Sequence, residues 1–390
     1  MKACIMCGGE GTRMRPLTFE RPKPCIPILN KPSIGYLCEH LSISGFNEIV
    51  LTLKYLGNKI EEYIRDGSIF GVRANYVYEK EKLGTAGSVK NSERYLKDEP
   101  FLVIGGDHVL DFDLREMYQF HKDHEGMITM GLMPVDNPQK YGIVDINMYN
   151  KIQRFIEKPK QDQIFSNIAN TGIYVCNPEL LEWIPSRQYD FAKDLFPRLL
   201  QEKEPIYGWM AEGYWTDIGD PIEYMAATRW KLDNLSKEIE GQFYSKNASL
   251  NGPMIFKHSI TIGSNSSIAD HVIIGENTKI GDNVLIGPYT SIGRNCLIGD
   301  SSKILSSYIY DEVQIGKGSL VSSAIIDNNT NIGEDCTLES GVVIGPRVMI
   351  QNEVIVNSDV RIWPEAVLKS GDCVKKSLIN EKFGISVERS

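Results

Sequence analysis

The chain has 390 residues, which is too long for one compact core, so two domains are expected. Its 42% hydrophobic and 24% charged residues are ordinary for a soluble protein, and its net charge is −9. An acidic chain argues against non-specific nucleic-acid binding, and no apolar run reaches membrane-spanning length. Eight cysteines spread over this length do not suggest a disulfide framework, so a reducing cytoplasmic location is expected.

The first half of the chain alternates predicted strands and helices. Strands are predicted at 2–7, 47–53, 73–78 and 101–104, with helices at 33–44, 58–65 and 86–96 between them. This order predicts a Rossmann-like α/β domain over residues 1–235, with a mixed, mainly parallel sheet. Ligands bind such sheets beyond the carboxyl ends of the strands, where Gly8–Arg15 and Gly105–Asp107 are both expected. Residues 236–250 are polar and are predicted to be a linker.

The second half of the chain carries a six-residue repeat. Isoleucine opens eight consecutive steps, and glycine follows most of these openers: Ile262, Ile268, Ile274, Ile280, Ile286, Ile292, Ile298 and Ile304. The register continues through Tyr310 and Asp327, and the step after each of these two is one residue short. The openers are predicted to point inward and the glycines to permit tight corners. The period predicts a left-handed parallel β-helix over 251–370, followed by a tail at 371–390.

A glycine-rich loop directly follows the first strand. It runs from Gly8 to Pro16, and its backbone N–H groups and the charge of Arg13 suit a phosphate. The dinucleotide fingerprint fails because Met14 stands where its third glycine belongs, and the Walker A lysine-hydroxyl pair is absent. Lys23 lies between two prolines that stiffen the backbone, which suits a cation aimed at a developing phosphate charge.

The order of these motifs resembles the sugar-phosphate nucleotidyltransferases, also called nucleotide-sugar pyrophosphorylases. The loop GGEGTRMRP followed closely by RPKP is specific for that family, and several of its branches carry a C-terminal β-helix. The resemblance implies transfer of a nucleotidyl group from an NTP to a sugar 1-phosphate, with release of pyrophosphate and with Mg²⁺ as cofactor. It covers nearly the whole chain.

The same resemblance assigns roles to individual residues. It implies catalytic roles for Arg13 and Lys23, and metal ligation by Asp107 and Asp217. The implied nucleotide-binding residues are Gly8, Gly9, Gly11, Thr12, Arg13, Leu83, Gly84, Thr85 and Gly106. The implied sugar-phosphate contacts are Tyr141, Gly142, Glu157, Lys158, Asn170 and Thr171.

Elementary chemistry supports this set independently. Mg²⁺ prefers carboxylate and phosphate oxygens, and cations must cancel the repulsion between two phosphates. The attacking phosphate oxygen is already negative at neutral pH, so no general base is required and none is assigned to His108. Positioning and charge stabilisation are expected to supply most of the rate.

The choice of substrates is less well determined by the sequence. The segment Glu79–Gly87 is most similar to the mannose-1-phosphate guanylyltransferases, whereas uridylyl- and thymidylyl-transferring relatives more often carry glutamine there. GTP and mannose 1-phosphate are therefore expected, and UTP or dTTP with glucose 1-phosphate stays open. A second, acyltransferase activity of the β-helix and a non-catalytic regulatory role are further alternatives. A homo-oligomer is expected, with no nucleic-acid or membrane partner.

Overall fold

A computed structural model describes residues 1–234, 238–239, 243–245 and 247–378. The chain forms two compact units. The first unit consists of Met1–Glu10, Pro22–Cys25 and Pro32–Ile218, and the second of Gly11–Arg21, Ile26–Lys31 and Gly219–Ser390. The glycine-rich loop is thus divided between the two units at Gly11.

Residues 1–234 contain the strands predicted at 2–7, 47–53, 73–78 and 101–104 and the helices between them, with the helix predicted at 86–96 divided into two. The strands are β1 (Lys2–Cys7), β2 (Pro27–Ile28), β3 (Lys31–Pro32), β4 (Glu48–Leu53), β5 (Arg73–Tyr78), β6 (Phe101–Gly105), β7 (His108–Leu110), β8 (Ile128–Pro134), β9 (Gly142–Ile146), β10 (Ile152–Glu157), β11 (Ile168–Cys176), β12 (Ile206–Met210) and β13 (Trp215–Asp217). The helices are α1 (Ser33–Ile43), α2 (Gly57–Ile64), α3 (Gly84–Asn91), α4 (Glu93–Leu96), α5 (Leu114–Asp123), α6 (Phe196–Gln201) and α7 (Pro221–Asp233).

The first unit is built on one mixed sheet with the order β10-β9-β11-β6-β1-β4-β5, extended by β8 and β12. Its centre is parallel, because β1 lies between β4 and β6 in the same direction. Strand β11 then runs antiparallel to β6, β8 and β9. Apolar clusters cover both faces of β1: Ile5 and Cys7 belong to one, and Cys4 belongs to the other. Strand β1 is therefore covered on both faces, and Cys4 and Cys7 face opposite sides of the sheet.

The second unit contains a left-handed parallel β-helix. Among the residues that the structure describes, its strands form three sheets of eight, and each coil adds one strand to each sheet. The first sheet consists of Glu238–Ile239, Met254–Phe256, Val272–Ile274, Thr290–Ile292, Tyr308–Ile309, Ile325–Ile326, Val343–Ile344 and Arg361–Ile362. The second consists of Phe243–Ser245, Ile260–Ile262, Lys279–Ile280, Leu297–Ile298, Gln314–Ile315, Asn331–Ile332, Met349–Ile350 and Val367–Leu368. The third consists of Ser249–Leu250, Ser267–Ile268, Leu285–Ile286, Lys303–Leu305, Leu320–Ser322, Thr337–Leu338, Ile355–Val356 and Cys373–Val374.

The isoleucine openers point inward as predicted and form one continuous apolar core. The predicted register is wrong at two places, however. Ile292 pairs with Ile309, Ile309 with Ile326, and Ile326 with Ile344, so the inward column passes through isoleucines throughout. Tyr310 and Asp327 each stand one residue after an opener, and the short step precedes the opener. Burying an isoleucine in the core is favoured over burying a tyrosine or an aspartate there.

The glycines of the repeat serve a different purpose from the predicted one. Most residues of the repeat with positive φ lie three positions after an opener, and most of them are polar, as with Asn277 (φ 58°) and Asn295 (φ 55°), although Gly318, Gly341 and Gly371 also occupy this position. Gly275 has no positive φ, but a Cβ there would stand 2.4 Å from the carbonyl carbon of Gly293 on the next coil. The glycine is therefore required because the coils stack closely, while asparagine makes the corner.

The boundaries of the β-helix differ from the predicted ones. The described residues of the predicted linker, 236–250, supply the first strand of each sheet, and α7 belongs to the same compact unit. The last strand, Cys373–Val374, lies within the predicted tail, and residues 379–390 of that tail are outside the described residues.

Candidate active site

Lys23 and Asp107 form an ion pair in the first unit. The two side chains are only 13% and 21% exposed. A 3₁₀ turn (Lys23–Cys25) holds the lysine, because the Cys25 amide donates to Pro22 O at 2.8 Å and the Ser33 hydroxyl to Pro24 O at 2.9 Å. The two prolines and these two bonds leave the lysine backbone little freedom. The predicted stiff support for a cation is therefore present.

Asp217 lies on the strand that pairs with the one following Asp107. Strands β7 and β13 are antiparallel, and Asp217 stands opposite His108. The Ile218 amide donates to Asp107 O at 3.0 Å. The two aspartates come from stretches 110 residues apart in sequence and are brought to adjacent backbone positions. A shared metal ion would need the two residues to be close in this way, and metal ligation by them stays a prediction.

The charges in this cluster support one another. Burial is the largest single influence on Asp107 and would raise its pKa, but the charge and hydrogen bond of Lys23, together with smaller contributions from neighbouring groups, place the pKa below its ordinary value. Burial lowers the pKa of His108 despite the opposing charges of Asp107 and Asp217, so the imidazole is neutral at physiological pH. The cluster thus combines the acidic side chains of Asp107 and Asp217 and the Lys23 ammonium with the uncharged imidazole of His108.

An aromatic row connects this cluster with the predicted sugar-binding segments. The ring centroids of His108 and Trp215 are 6.0 Å apart, and those of Trp215 and Tyr141 are 5.5 Å apart. The imidazole also lies against Gly172, where an added Cβ would stand 3.4 Å from its Cε1. Two buried nitrogens of the row, His108 Nδ1 and Trp215 Nε1, find no hydrogen-bond partner among the described residues. Sequence reasoning missed Trp215, although it stands two residues before Asp217.

Glu157 and the Tyr141–Gly142 dipeptide meet across the β9–β10 pair. Glu157 stands opposite Gly142 in the strand pair. A Cβ added to Gly142 would stand only 2.7 Å from Glu157 Oε2, so the carboxylate lies against the glycine. Burial raises the pKa of Glu157 against the opposing charge of Lys158. Lys158 is exposed and has φ 46°, and its amide donates to Tyr141 O at 3.0 Å. These four predicted residues form one group at the end of the pair.

Asn170 and Thr171 lie at an irregularity in the pairing of β11 with β8. The Asn170 amide group donates to Tyr174 Oη at 2.9 Å, and its Oδ1 accepts from the Gly172 amide at 2.9 Å. Thr171 is buried and its hydroxyl donates to Gly131 O at 2.8 Å. The threonine side chain therefore holds the sheet together, and Asn170 fixes the bend that carries Gly172 against His108.

The predicted nucleotide-binding residues of the first unit lie in two groups. Gly8 and Gly9 follow β1, and the Gly106 amide donates to Met6 O on the same strand at 2.9 Å. Glu79 reaches this end of the sheet, because an added Cβ on Gly8 would stand 3.5 Å from its Oε1. The Ser88 hydroxyl donates to the same carboxylate. Sequence reasoning quoted Glu79 in a motif and assigned it no role.

The second group is the start of α3. Helix α3 begins at Gly84, and the Thr85 hydroxyl donates to Asp190 Oδ1 at 3.2 Å. The Tyr189 amide donates to Leu83 O at 2.8 Å. Leu83, Gly84 and Thr85 are thus fixed to the segment at 189–191. Whether they contact a nucleotide base stays a prediction.

The remaining loop residues, Gly11, Thr12 and Arg13, belong to the second unit. Thr12 and Arg13 are exposed, whereas Met14, Leu17 and Thr18 are fully buried behind them. A 3₁₀ turn (Thr12–Met14) shapes the loop. An added Cβ on Gly219 would stand 3.2 Å from Arg13 Nη2, so the arginine lies against the start of α7. The loop presents its polar residues outward, as a phosphate site requires.

The predicted metal ligands fit a magnesium ion that the substrate completes. Among the described residues there is no group of three or more His, Cys, Asp or Glu side chains that could hold a metal ion. Asp107 and Asp217 offer hard oxygen donors from adjacent strands. Mg²⁺ is commonly held by one or two carboxylates together with substrate phosphates, so this pair suits it.

Comparison with protein families follows the two halves of the chain. A model described as nucleotidyl transferase matches residues 2–234, and a model described as the LbH domain of the EIF2B epsilon subunit matches residues 253–356. The first match covers more than half of the chain. The protein therefore belongs to the nucleotidyl transferase family and is an enzyme of that class. In the described part of the chain, no helix is long and apolar enough to cross a membrane.

Curated relatives match almost the whole length. A mannose-1-phosphate guanyltransferase from Eremothecium gossypii is 36% identical over 362 residues, covering 92% of this chain and 94% of the relative. The corresponding protein from Candida albicans is 35% identical and covers 97% and 100% of the two chains. Mannose-1-phosphate guanylyltransferase 1 from Arabidopsis thaliana is 32% identical and covers 95% and 98%.

A solved structure matches the first part of the chain. HddC from Yersinia pseudotuberculosis, crystallised with GMP-PN, superposes with a TM-score of 0.51 at 26% identity. The match covers 59% of this chain and 99% of HddC. It confirms the α/β fold expected for the nucleotidyltransferase part.

Proposed function

We propose that the protein transfers the guanylyl group of GTP to mannose 1-phosphate, giving GDP-mannose and pyrophosphate. The observation that carries the transfer reaction is the partly buried Lys23–Asp107 pair, with Asp217 on the neighbouring strand β13. Fixed charges of both signs at one sheet edge suit a reaction between two phosphates. The choice of GTP and mannose 1-phosphate rests on the full-length relatives.

The residues of the chain divide the work of the reaction. Asp107 and Asp217 would hold Mg²⁺, which neutralises phosphate charge when bound. Lys23 provides a fixed cation for the α-phosphate, where charge changes during transfer. Glu157, Tyr141 and Asn170 provide hydrogen-bonding groups for the sugar, with Gly142 and Lys158 beside them. The phosphate oxygen attacks without a base, which agrees with a neutral His108.

Glu79 supports guanine over uracil. Its carboxylate lies beside Gly8 and accepts from Ser88. A carboxylate accepts two neighbouring hydrogen bonds, which guanine offers through its ring N–H and exocyclic amino group. Uracil pairs instead with a side chain that both donates and accepts, as glutamine does.

A cytoplasmic location and a homo-oligomeric state are also proposed. The eight free cysteines support the cytoplasmic location.

A substrate screen tests the proposal. Pyrophosphate release is measured for ATP, GTP, UTP and CTP, each against mannose, glucose, galactose and N-acetylglucosamine 1-phosphates. GTP with mannose 1-phosphate is expected to give the highest kcat/KM. A higher value for UTP with glucose 1-phosphate would refute the choice of substrates, and no turnover of any pair would refute the reaction class. Acetyl-coenzyme A is included as a check on acyl transfer.

A further inference from the structure

The exposed loop residues Thr12 and Arg13 are followed by a buried segment. In this segment, which we call the loop anchor (residues 14–21), Met14, Leu17 and Thr18 are fully buried. The Thr18 hydroxyl donates back to Gly11 O at 2.8 Å, and the Met14 amide donates to the same oxygen at 2.9 Å. Gly11–Arg13 therefore form a short arch whose position depends on what holds the loop anchor.

The far end of the loop anchor is held by side chains from several coils of the β-helix. Arg21 forms an ion pair with Asp327 at 2.9 Å, and its guanidinium lies 5.1 Å from the ring centroid of Tyr310. Glu20 forms a two-bonded ion pair with Arg347. The Phe19 and Trp363 rings lie 4.5 Å apart. These contacts fix residues 19–21 but lie several residues from the arch.

Arg361 acts at the near end. Its Nη1 donates to Arg13 O at 2.8 Å and to Arg15 O at 2.9 Å. One guanidinium nitrogen thus joins the two carbonyl groups on either side of Met14, at the end of the 3₁₀ turn. A charged donor makes stronger hydrogen bonds to such carbonyls than a neutral one does. The contact reaches the peptide group of Arg13 itself.

Arg361 is itself held in place. It lies on the last strand of the first sheet, Arg361–Ile362. Its backbone N–H donates to Ser377 Oγ at 2.9 Å. The Leu378 amide donates to Arg361 O at 2.9 Å. The chain that follows the last coil therefore folds back and fixes the strand that carries the arginine.

We propose that Arg361 is a positioning residue for NTP binding: it holds the Arg13 and Arg15 carbonyls, so that Gly11–Arg13 are arranged for the triphosphate before it arrives. This inference rests on the proposed function. Ordering a loop on binding weakens affinity, and a loop already ordered avoids that loss. Without Arg361, the KM for the NTP is expected to rise about tenfold, equivalent to about 1.4 kcal/mol. The KM for the sugar phosphate is expected to change less than about twofold.

The test compares Arg361→Ala, Arg361→Gln and a matched control, Arg294→Ala, in the full-length protein. Arg294 lies on the same β-helix and pairs with Asp311 at 2.9 Å, so its loss removes an equal charge away from the loop anchor. Steady-state KM values are measured for both substrates, with and without millimolar guanidinium ion. Amide hydrogen exchange is measured at Met14 and Arg15, whose N–H groups donate within the turn.

The expected result is a selective rise in NTP KM for Arg361→Ala, a smaller rise for Arg361→Gln, partial rescue by guanidinium and faster exchange at Met14 and Arg15. The control is expected to match the wild type. An unchanged NTP KM overturns the inference. An equal rise in the KM values of both substrates together with a lowered Tm also overturns it, because that result would indicate a general structural role. Inactive wild-type protein would refute the proposed function instead, and unchanged exchange at Met14 would then still overturn the inference.

Discussion

Replacing Lys23 with alanine tests the charge arrangement that the proposed reaction needs. The side chain is 13% exposed and lies against Asp107, so its ammonium acts in a partly water-excluded site. At an effective dielectric constant of about 20, two unit charges about 4 Å apart interact by about 4 kcal/mol. Loss of one fixed donor to a developing charge costs about 2.7–4 kcal/mol, or roughly 100- to 1,000-fold in kcat. Together the estimates predict a loss of roughly two to three orders of magnitude in kcat.

The assay is pyrophosphate release at saturating GTP and mannose 1-phosphate, with circular dichroism to verify the fold. Lys2→Ala is a suitable control, because Lys2 stands at the opposite end of β1 and pairs with Asp98 at 3.3 Å. We expect the control to keep wild-type kcat, and Lys23→Arg to keep the charge but misplace it. A folded Lys23→Ala protein with a kcat within about tenfold of wild type would refute the assignment, since a contribution below about 1.4 kcal/mol is too small for this role.

Three further predictions concern other residues of the two units. Asp217→Asn is expected to raise the Mg²⁺ concentration for half-maximal rate by at least about tenfold. Asp220→Asn, which keeps the N-cap of α7, should leave it unchanged, and an unchanged Asp217→Asn titration would exclude metal ligation there. The raised pKa of Glu157 means that it takes up a proton at a higher pH than an ordinary glutamate, so the mannose 1-phosphate KM should climb more steeply toward low pH than in Glu157→Gln; parallel profiles would contradict sugar contact. Asp327→Ala leaves Arg21 buried without its partner and is expected to cost the second unit about 3–5 kcal/mol, measured by urea unfolding. The double change Arg21→Met with Asp327→Leu should cost less, and a larger loss in the double variant would contradict this reasoning.

Much of the architecture could be predicted because each element carries its own local signal. The period of six residues in the second half permits few folds, and alternating strands and helices in the first half predict the parallel centre of the sheet. The pairing of Asp107 and Asp217 was implied by family resemblance. The two aspartates are far apart in the chain, and only a short antiparallel strand pair joins them. The sequence therefore contains no local pattern that predicts their proximity.

The residues that sequence reasoning missed are those whose partners lie far away in the chain. Trp215 connects His108 with Tyr141, and Arg361 bonds to residues 346 and 348 positions earlier. An arginine at the outward position of a repeat looks like any solvated arginine. Only the folded chain shows that it has carbonyl groups to bind. Single-sequence periodicity describes which face a residue occupies, and it contains no information about what approaches that face.

The two shortened steps of the repeat, where the predicted register is wrong, have a physical explanation. Gly293, Tyr310, Asp327, Gly345 and Trp363 stand one residue after successive inward isoleucines of the first sheet, where close stacking elsewhere requires glycine. The two coils that place Tyr310 and Asp327 there are each one residue short, and both side chains contact Arg21. Gly345 keeps the ordinary glycine, and an added Cβ would stand 3.1 Å from Pro16 Cβ.

The positions that directly follow the inward isoleucines of the first sheet thus include Tyr310, Asp327 and Trp363, three of the residues that contact the loop anchor. Large or charged side chains occur where Phe19 and Arg21 need partners, and glycine remains where Pro16 approaches. A β-helix that only stacked its own coils would have no reason to shorten two steps and bury an aspartate, because an unpaired buried carboxylate is costly. The interruptions in a repeat are therefore more informative about function than the repeat itself. In this chain they mark the surface that holds the loop from which Arg13 projects.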